Sequence, residues 1–349
     1  MMFASDNTGP VHPAIMEAVL AANDGSAMPY GNDATTAAAR QAVRDLFEAP
    51  DTAVEFVATG SVANALALAC LAKPWDGVFC HRTAHVEEDE CGAPDFYSGA
   101  KTILIDGAEG RITPEALEAA IVQCQGRGVH GAQPGPVTIT NITERGTVYS
   151  LGQIRALSDV ARAHGLATHL DGARFANACA ALGCTPAEMT WKAGVDAVSF
   201  GGTKNGCMGV EAVVMFDPAK GRELELRRKR GGHLFSKHRY LSAQMAAYCA
   251  DGLWLTMAQA ANARMAQLVQ GLARVPGAQL CNPAPGNLAF IEVPRAAHRR
   301  AFAAGAQYYL FPGDGLDAGP EDAALRCRIV CDWSKTSEDV ERLLAAWVG

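Results

Sequence analysis

The chain has no long apolar segment and little clustered positive charge, and each absence excludes a class of function. No apolar run approaches the roughly 18 residues of a membrane-spanning helix, and residues 1–6 lack the charged-then-apolar pattern of a secretion signal. The net charge is -7, whereas nucleic-acid binding requires Lys and Arg gathered on one surface. These absences predict a cytoplasmic protein that binds neither membranes nor nucleic acid.

The only dense basic run is 227–230 (RRKR). Glu223 and Glu225 come just before it, and charges of both signs on one short segment are typical of a helix face in water. We therefore interpret the run as a solvated helix face.

Paired cysteine motifs are also missing. The 11 cysteines form no CxxC pair, and we interpret them as reduced, small hydrophobic residues. Cys327 and Cys331 share one face of a predicted strand, so a disulfide or metal role is a less favoured alternative. His81 and His85 have HxxxH spacing, but the HExxH pattern of zinc helices is absent. No metal site is predicted.

Strand-like and helix-like segments alternate from about Ala14 to Phe216, which predicts an α/β domain with a mostly parallel sheet covered by helices. The predicted strands are 54–59, 78–80, 102–105, 137–140, 166–170, 195–200 and 210–216. Thr113 and Ser150 are predicted to cap two of the helices.

The character of the chain changes after Gly232. An Ala/Leu/Met-rich stretch, 240–275, is interpreted as one or two connecting helices. Short strands at 288–293, 307–311 and 327–331, with a helix at 336–347, predict a smaller α+β domain. We expect two domains: 1–240, a large domain with an N-terminal segment, and 241–349, the connecting helices with a small C-terminal domain.

Lys204 follows a predicted strand, within 201–206 (GGTKNG). Burial lowers the pKa of a lysine, so its amine can attack an aldehyde and form a Schiff base. A surface lysine in a turn is the alternative interpretation. A phosphate-binding P-loop is excluded, because its lysine directly follows glycine and precedes Ser or Thr, whereas Lys204 follows Thr203 and precedes Asn205.

Asp171 ends another predicted strand, within 169–174 (HLDGAR). A carboxylate at this position can keep a pyridine nitrogen protonated, which makes the ring an electron acceptor. A helix-capping aspartate is the alternative. Arg174 can offer two parallel donors to a carboxylate, or it can be an exposed helix residue.

Gly60 and Ser61 stand between a predicted strand and a helix. The free N–H groups of a helix start, with a hydroxyl, suit a phosphate; Ser61 as a simple N-cap is the alternative. His85 can stack on an aromatic ring and transfer protons near neutral pH.

The order of phosphate loop, histidine, aspartate and lysine resembles the fold-type I pyridoxal-phosphate enzymes, and among them the low-specificity L-threonine aldolase family. The resemblance covers essentially the whole chain. It is carried by 5–7 (SDN), 30–33 (YGND), 59–64 (TGSVAN), 84–86 (AHV), 89–94 (DECGAP), 169–174, 201–206 and Arg328.

The resemblance implies pyridoxal 5'-phosphate as cofactor. Lys204 would form the Schiff base, Asp171 would pair with the ring nitrogen and His85 would stack on the ring. The phosphate would be bound by Gly60, Ser61 and either Lys237 or Arg239. The substrate carboxylate would be held by Ser5, Arg174 and Arg328, with Tyr30 in a loop near a subunit boundary.

The implied reaction is retro-aldol cleavage of L-threonine, L-allo-threonine and related β-hydroxy-α-amino acids such as phenylserine, giving glycine and an aldehyde. The family also implies a homotetramer built from dimers. β-Elimination, transamination or cofactor binding without turnover are the alternative functions.

The sequence departs from the family in the segment 141–148, where many of these aldolases have a histidine near the substrate hydroxyl and this chain has Glu144. A carboxylate whose pKa is raised by burial can accept the β-hydroxyl proton, directly or through water. A structural role for Glu144 is the alternative. His85, Glu144 and water all stay open as the base.

Overall fold

A computed structural model describes residues 1–311 and 315–349 of the chain. The larger part of the molecule is built around a seven-stranded sheet. Its strands are β1 (Ala53–Val57), β2 (Asp76–His81), β3 (Lys101–Ile105), β4 (Gln133–Thr140), β5 (Thr168–Gly172), β6 (Ala197–Gly201) and β7 (Glu211–Met215). The strand order is β1-β7-β6-β5-β4-β2-β3. Only β7 runs antiparallel to its neighbours in this sheet, so the predicted mostly parallel sheet is confirmed.

Helices pack around the strands in both parts of the molecule. They are α1 (Pro13–Ala21), α2 (Ala34–Leu46), α3 (Gly60–Leu71), α4 (His85–Glu88), α5 (Ala93–Ser98), α6 (Pro114–Gln125), α7 (Leu151–Ala163), α8 (Phe175–Leu182), α9 (Pro186–Met189), α10 (Gly221–Arg230), α11 (Arg239–Cys249), α12 (Leu253–Gly271), α13 (Arg295–Ala303) and α14 (Ser337–Val348). Both predicted caps are confirmed: the Thr113 side chain accepts from Ala116 N, and Ser150 forms a capping box with Gln153.

The parallel strands place their following segments at one edge of the sheet. β1 leads to Gly60, β2 to His85, β4 to Glu144 and β6 to Lys204, while Asp171 lies within β5 near its end. In α/β sheets the carboxyl ends of parallel strands share one edge, where ligands bind. The common direction of these strands therefore brings residues that are far apart in sequence to one edge of the sheet.

The smaller part of the molecule is built on a four-stranded antiparallel sheet of order β10-β11-β9-β8. Its strands are β8 (Gln279–Leu280), β9 (Leu288–Pro294), β10 (Tyr309–Leu310) and β11 (Ala324–Val330). The N-terminal segment joins this part, since Phe3 N donates to Gln307 O at 2.8 Å and Val330 N donates to Phe3 O at 3.0 Å. Phe3 is fully buried there.

The stretch 240–275 forms two helices, α11 and α12, with a break at Asp251 and Gly252, where φ is 51° and 70°. α12 contributes to two hydrophobic cores: Trp254 and Met257 pack in the core of the large sheet, and Met265 and Leu268 in that of the small sheet. One helix thus connects both parts through buried side chains.

The prediction for the basic run 227–230 is wrong at one residue. Arg228 is buried, forms an ion pair with Glu55 at 2.7 Å and donates to Phe56 O at 3.1 Å. Its partners come from β1, some 170 positions earlier, so the local charge pattern could not reveal them.

All 11 cysteines are free thiols. No helix in the described part of the chain is both long and apolar enough to cross a bilayer.

Candidate active site

Two neighbouring cavities open at the carboxyl edge of the large sheet. The inner cavity, of about 320 Å³, is lined by residues that include Gly60, Ser61, Asn64, Glu90, Asp171 and Glu211. The outer cavity, of about 590 Å³, is lined by residues that include Ser5, Glu144, Arg145, Arg174, Phe290 and Arg328. His85 and Lys204 line both. These volumes lie in the range of roughly 300–1,000 Å³ of small-molecule sites.

Lys204 is held in a tight turn between β6 and β7. The turn is anchored from both sides: Asn205 Nδ2 donates to Trp254 O at 2.7 Å, and Gly202 N donates to Glu211 Oε2 at 3.0 Å. Burial is the main cause that lowers the pKa of the Lys204 amine, and the nearby positive charge of Arg174 is the second. In the described structure this amine forms no hydrogen bond or ion pair, so it is free to react with an aldehyde.

Asp171 is buried at the end of β5, with both carboxylate oxygens fixed. Oδ1 accepts from Ala173 N at 3.0 Å, and Oδ2 accepts from Asn64 Nδ2 at 3.0 Å. The next helix, α8, begins at Phe175 with Arg174 as its N-cap. The alternative interpretation of Asp171 as a helix cap therefore does not apply.

His85 is the first residue of α4, and its ring is oriented by Glu90. Nδ1 lies 2.8 Å from Glu90 Oε1; this hydrogen bond raises the pKa of His85, against the opposing effect of burial. Burial raises the pKa of Glu90. Asn64 Nδ2 donates to Glu90 Oε1 at 2.8 Å as well as to Asp171, so one amide links both carboxylates.

The HxxxH pair does not converge on a common site. His81 bonds instead with Thr83 Oγ1 and Gly107 O, each at 3.0 Å. One ligand atom each of His85, Glu90 and Asp171 lie within 4.8 Å of one another, a spacing compatible with a metal ion. The hydrogen bonds just described already engage His85 Nδ1, Glu90 Oε1 and Asp171 Oδ2. His85 bonds directly to Glu90, and Asn64 joins the two carboxylates.

The helix α3 begins at Gly60, and Ser61 is its second residue. Ser61 is therefore not the N-cap; Thr59 is, and its side chain forms no capping hydrogen bond. A Cβ added at Gly60 would meet no heavy atom within 4 Å. The first turn of α3 thus presents uncapped N–H groups to open space in the inner cavity, as an anion site requires.

The three residues predicted to bind the substrate carboxylate line the outer cavity together with Lys204. Asp6 lies in the motif 5–7 but was assigned no role from the sequence; it holds Arg174 through two hydrogen bonds of 2.7 and 3.0 Å. Burial opposes ionisation of Asp6, but Arg174 and Lys204 outweigh it and lower its pKa. Arg328 donates to Ala4 O at 3.0 Å, while its Nε is buried with no partner among the described residues.

Glu144 faces the same space. Its Oε1 accepts from His85 N at 2.7 Å, and it lines the outer cavity beside His85 and Lys204. Burial raises the pKa of Glu144 to about 7. A carboxyl group with that pKa exchanges protons readily at neutral pH.

Three predicted site residues lie outside both cavities of this chain. Lys237 is exposed, and Arg239 donates to Gly25 O at 3.1 Å and stacks on Tyr240. Tyr30 is 43% exposed, has φ of 60° and lies under Lys229, whose Nζ is 4.8 Å from the ring centroid. The fold of one chain brings none of them to the phosphate or carboxylate positions.

Comparison with known proteins identifies the family. The beta-eliminating lyase family model matches residues 2–294. A low specificity L-threonine aldolase of Pseudomonas aeruginosa is 40% identical over 342 residues, covering 98% of this chain and 95% of the relative. A second, from a Pseudomonas species, is also 40% identical, covering 98% and 96%. This chain belongs to the low-specificity L-threonine aldolase family.

The threonine aldolase fold extends over the full chain. A solved structure of a Leishmania major threonine aldolase superposes with a TM-score of 0.91 at 26% identity, covering 99% of this chain and 98% of the other. A Sphingomonas wittichii serine palmitoyltransferase, 16% identical with a TM-score of 0.70, shares the fold alone. The predicted family, fold class, lyase class and pyridoxal 5'-phosphate cofactor are confirmed.

The residues of this threonine aldolase family member fit that cofactor. The inner cavity combines a free lysine amine, a fixed aspartate and an uncapped helix start. Two buried polar atoms, Asn64 Oδ1 and Glu90 Oε2, have no partner in the described structure. The site therefore offers a group for the aldehyde, the ring nitrogen and the phosphate.

Proposed function

We propose that this chain cleaves the Cα–Cβ bond of L-threonine and L-allo-threonine to glycine and acetaldehyde, and that it accepts bulkier β-hydroxy-α-amino acids such as phenylserine. The observation that carries the proposal is the convergence of Lys204, Asp171, Arg174 and Glu144 on two cavities that share Lys204. A lysine, a ring-nitrogen partner, a carboxylate clamp and a base are the parts that this reaction needs.

Lys204 would hold the cofactor aldehyde as a Schiff base, and Asp171 would hold the proton on the ring nitrogen. Gly60 and Ser61 would bind the phosphate, and the His85 ring, oriented by Glu90, would cover the cofactor ring. When bound, pyridoxal 5'-phosphate would supply the sink for the electrons of the breaking bond.

Ser5, Arg174 and Arg328 would orient the substrate through its carboxylate. Arg174 is already fixed by Asp6 at 2.7 Å, so little side-chain freedom is lost when it binds a second anion. A rigid clamp would orient the bonds at the substrate Cα relative to the cofactor, and that orientation would select the bond that breaks.

Glu144 would accept the proton of the β-hydroxyl group. Its fixed contact with His85 N at 2.7 Å and its pKa of about 7 support this role, since a base works best when its pKa is near the working pH. The aldehyde would then leave through the outer cavity.

We further propose a cytoplasmic homotetramer built from dimers, without a nucleic-acid partner. Tyr30 and either Lys237 or Arg239 would serve the site of a neighbouring subunit, because they lie outside the cavities of their own chain. The large domain is proposed to end at residue 240, and residues 241–349 to comprise the connecting helices and the small C-terminal domain. Analytical ultracentrifugation tests the assembly.

Product analysis tests the reaction. The purified protein is first examined for the absorbance of a lysine-bound cofactor and then given L-threonine or L-allo-threonine. Acetaldehyde is measured with alcohol dehydrogenase and NADH, and glycine is quantified separately. Equal amounts of glycine and acetaldehyde are expected. Ammonia with a keto acid would instead indicate β-elimination or transamination, and a coloured protein that releases no product would be a non-catalytic cofactor-binding protein.

A further inference from the structure

On the side away from the large sheet, the wall of the outer cavity is aromatic. Phe290, from β9, and Phe311, just after β10, have ring centroids 5.4 Å apart, and both line the cavity. Neighbouring Tyr309 is 57% exposed and lines it too. A substrate with only a methyl group on Cβ leaves this wall largely uncovered. Aromatic surfaces of this kind favour a flat apolar group.

Arg145 stands against this aromatic wall without a partner of its own. Its ζ carbon lies 6.0 Å from the centroids of both Phe290 and Phe311, and the residue is half-buried. Within residues 1–311 and 315–349, its guanidinium forms no ion pair and donates no hydrogen bond. A guanidinium has five donors, so this one can receive an incoming acceptor.

Of the other arginines nearby, Arg328 forms no ion pair among the described residues but is assigned to the substrate carboxylate, and the rest are already neutralised. Arg82 pairs with Asp106 at 2.6 Å, and Arg326 pairs with Glu292 at 2.7 Å. Two acidic residues, Glu88 and Asp89, also line the outer cavity, but neither pairs with Arg145. The positive charge of Arg145 is therefore available at the aromatic wall.

The turn that carries Arg145 also carries Glu144, the proposed base. It is closed by the hydrogen bonds Thr143 N to Thr147 O and Gly146 N to Thr143 O, each of 2.9 Å. Glu144 contacts His85, whereas the next side chain contacts the aromatic rings. Glu144 and Arg145, which are consecutive in sequence, therefore face two adjoining regions of the outer cavity.

We propose that the outer cavity binds an aromatic β-substituent carrying an anionic group, with Arg145 recognising the anion. This inference rests on the proposed function: the base must lie beside the β-hydroxyl, so the substituent on the same carbon extends past Glu144 to Arg145. The ring packs against Phe290 and Phe311, and a carboxylate matches the flat fork of the guanidinium. Retro-aldol cleavage then yields glycine and an anionic aromatic aldehyde.

Paired substrates on the holoenzyme test the proposal. The two are 4-carboxyphenylserine and 4-carbamoylphenylserine, which differ in charge but little in shape. We expect kcat/KM to be about tenfold or more higher for the carboxylate, the size of one charge-assisted hydrogen bond. Arg145→Met should reduce the ratio to nearly one, and Arg145→Lys should leave an intermediate ratio.

Arg82→Met is the matched control, because it removes a nearby arginine that is already paired with Asp106. It should retain the preference for the carboxylate. A preference that survives in Arg145→Met, or its absence in the wild type, overturns the proposal. Melting temperatures of the variants identify any that fail to fold, and Arg145→Lys then carries the test.

A binding measurement separates this inference from the proposed function. Calorimetric titration of the holoenzyme with 4-(hydroxymethyl)benzoate and with benzyl alcohol should show tighter binding of the anion in the wild type and no such difference in Arg145→Met. If L-threonine gives no glycine, the proposed function fails. If L-threonine is cleaved but neither kcat/KM nor binding favours the anion, this inference alone fails.

Discussion

The inner and outer cavities share Lys204 and His85 but are built differently. In the inner cavity Asn64 joins Glu90 to Asp171, and Glu211 fixes the lysine turn. In the outer cavity the guanidinium of Arg145 lies 6.0 Å from two aromatic ring centroids and has no hydrogen-bond or ion-pair partner among the described residues. The carboxylates of the inner cavity are thus linked to each other, whereas Arg145 in the outer cavity remains available to a ligand.

The difference has a physical cause and a functional result. A buried polar group without a partner costs about 1–3 kcal/mol, so the groups of the inner cavity are preorganised by shared hydrogen bonds. The outer cavity is larger, and it tolerates an unpaired cation at the half-buried Arg145. Changes in the inner cavity should therefore affect every substrate, and changes at the aromatic wall of the outer cavity only those substrates that reach it.

Lys204→Ala should have the largest effect. Without the amine the cofactor cannot be held covalently, so the absorbance of the lysine-bound cofactor should vanish and kcat should fall by at least about 10³-fold for every substrate. Absorbance spectra and glycine release measure both. Lys192→Ala, which removes a half-exposed lysine paired with Glu48, should change neither. A coloured, fully active Lys204→Ala protein would refute the assignment.

Glu144→Gln should come next. The amide cannot accept the proton, so kcat should fall by roughly 10²–10⁴-fold. In the wild type, kcat/KM should decrease as pH falls below about 7, because protonation of Glu144 removes the base. That decrease should be absent from the residual activity of the variant. An unchanged pH profile would assign the base to another group.

The same substitution should raise stability at high pH. The pKa of Glu144 is raised in the folded state, so its contribution to stability is present at low pH and is lost as pH rises from about 4.5 through 7. Glutamine can keep the contact with His85 N without carrying a charge. The melting temperature of Glu144→Gln should exceed that of the wild type at pH 8 and match it near pH 4.

Glu90→Gln should have a smaller effect that still reaches all substrates. The hydrogen bond to Glu90 raises the pKa of His85, so loss of the carboxylate should lower that pKa. NMR titration of the His85 ring measures the shift directly. We expect kcat to fall by about tenfold for threonine and phenylserine alike. An unchanged His85 pKa would show that Glu90 has no such influence.

Phe311→Ala should have the smallest and most selective effect. Loss of one ring of the aromatic wall should lower the ratio of kcat/KM for phenylserine to that for L-threonine by about three- to tenfold. Steady-state kinetics with both substrates measure the ratio. An equal loss for both would mean that the two cavities are not functionally separate.

Residues next to strands were accessible to prediction from sequence. Gly60, His85, Asp171 and Lys204 each lie at or after a strand whose apolar pattern is plain, and parallel strands place such residues at one edge. The small strand β8 was not predicted, because Gln279–Leu280 is too short to show any alternation.

Residues whose roles depend on distant partners were not accessible. Asp6 meets Arg174 across 168 positions, and Asn64 meets Asp171 across 107. Both lie in motifs that resemble the family, yet nothing local indicates which charge or carboxylate they contact. Arg228 was misread for the same reason, since its partner Glu55 belongs to another strand.

The turn between Thr143 and Thr147 has a practical consequence for engineering. Glu144 and Arg145 occupy adjacent codons, so one short randomised oligonucleotide can vary both. Keeping the glutamate codon and randomising its neighbour would give a library in which the bond-breaking chemistry is constant and the accepted aldehyde changes. If the reaction is run as aldol addition of glycine to an aldehyde, the variants of that library would form different β-hydroxy-α-amino acids. The product of each variant would then depend on the codon at position 145.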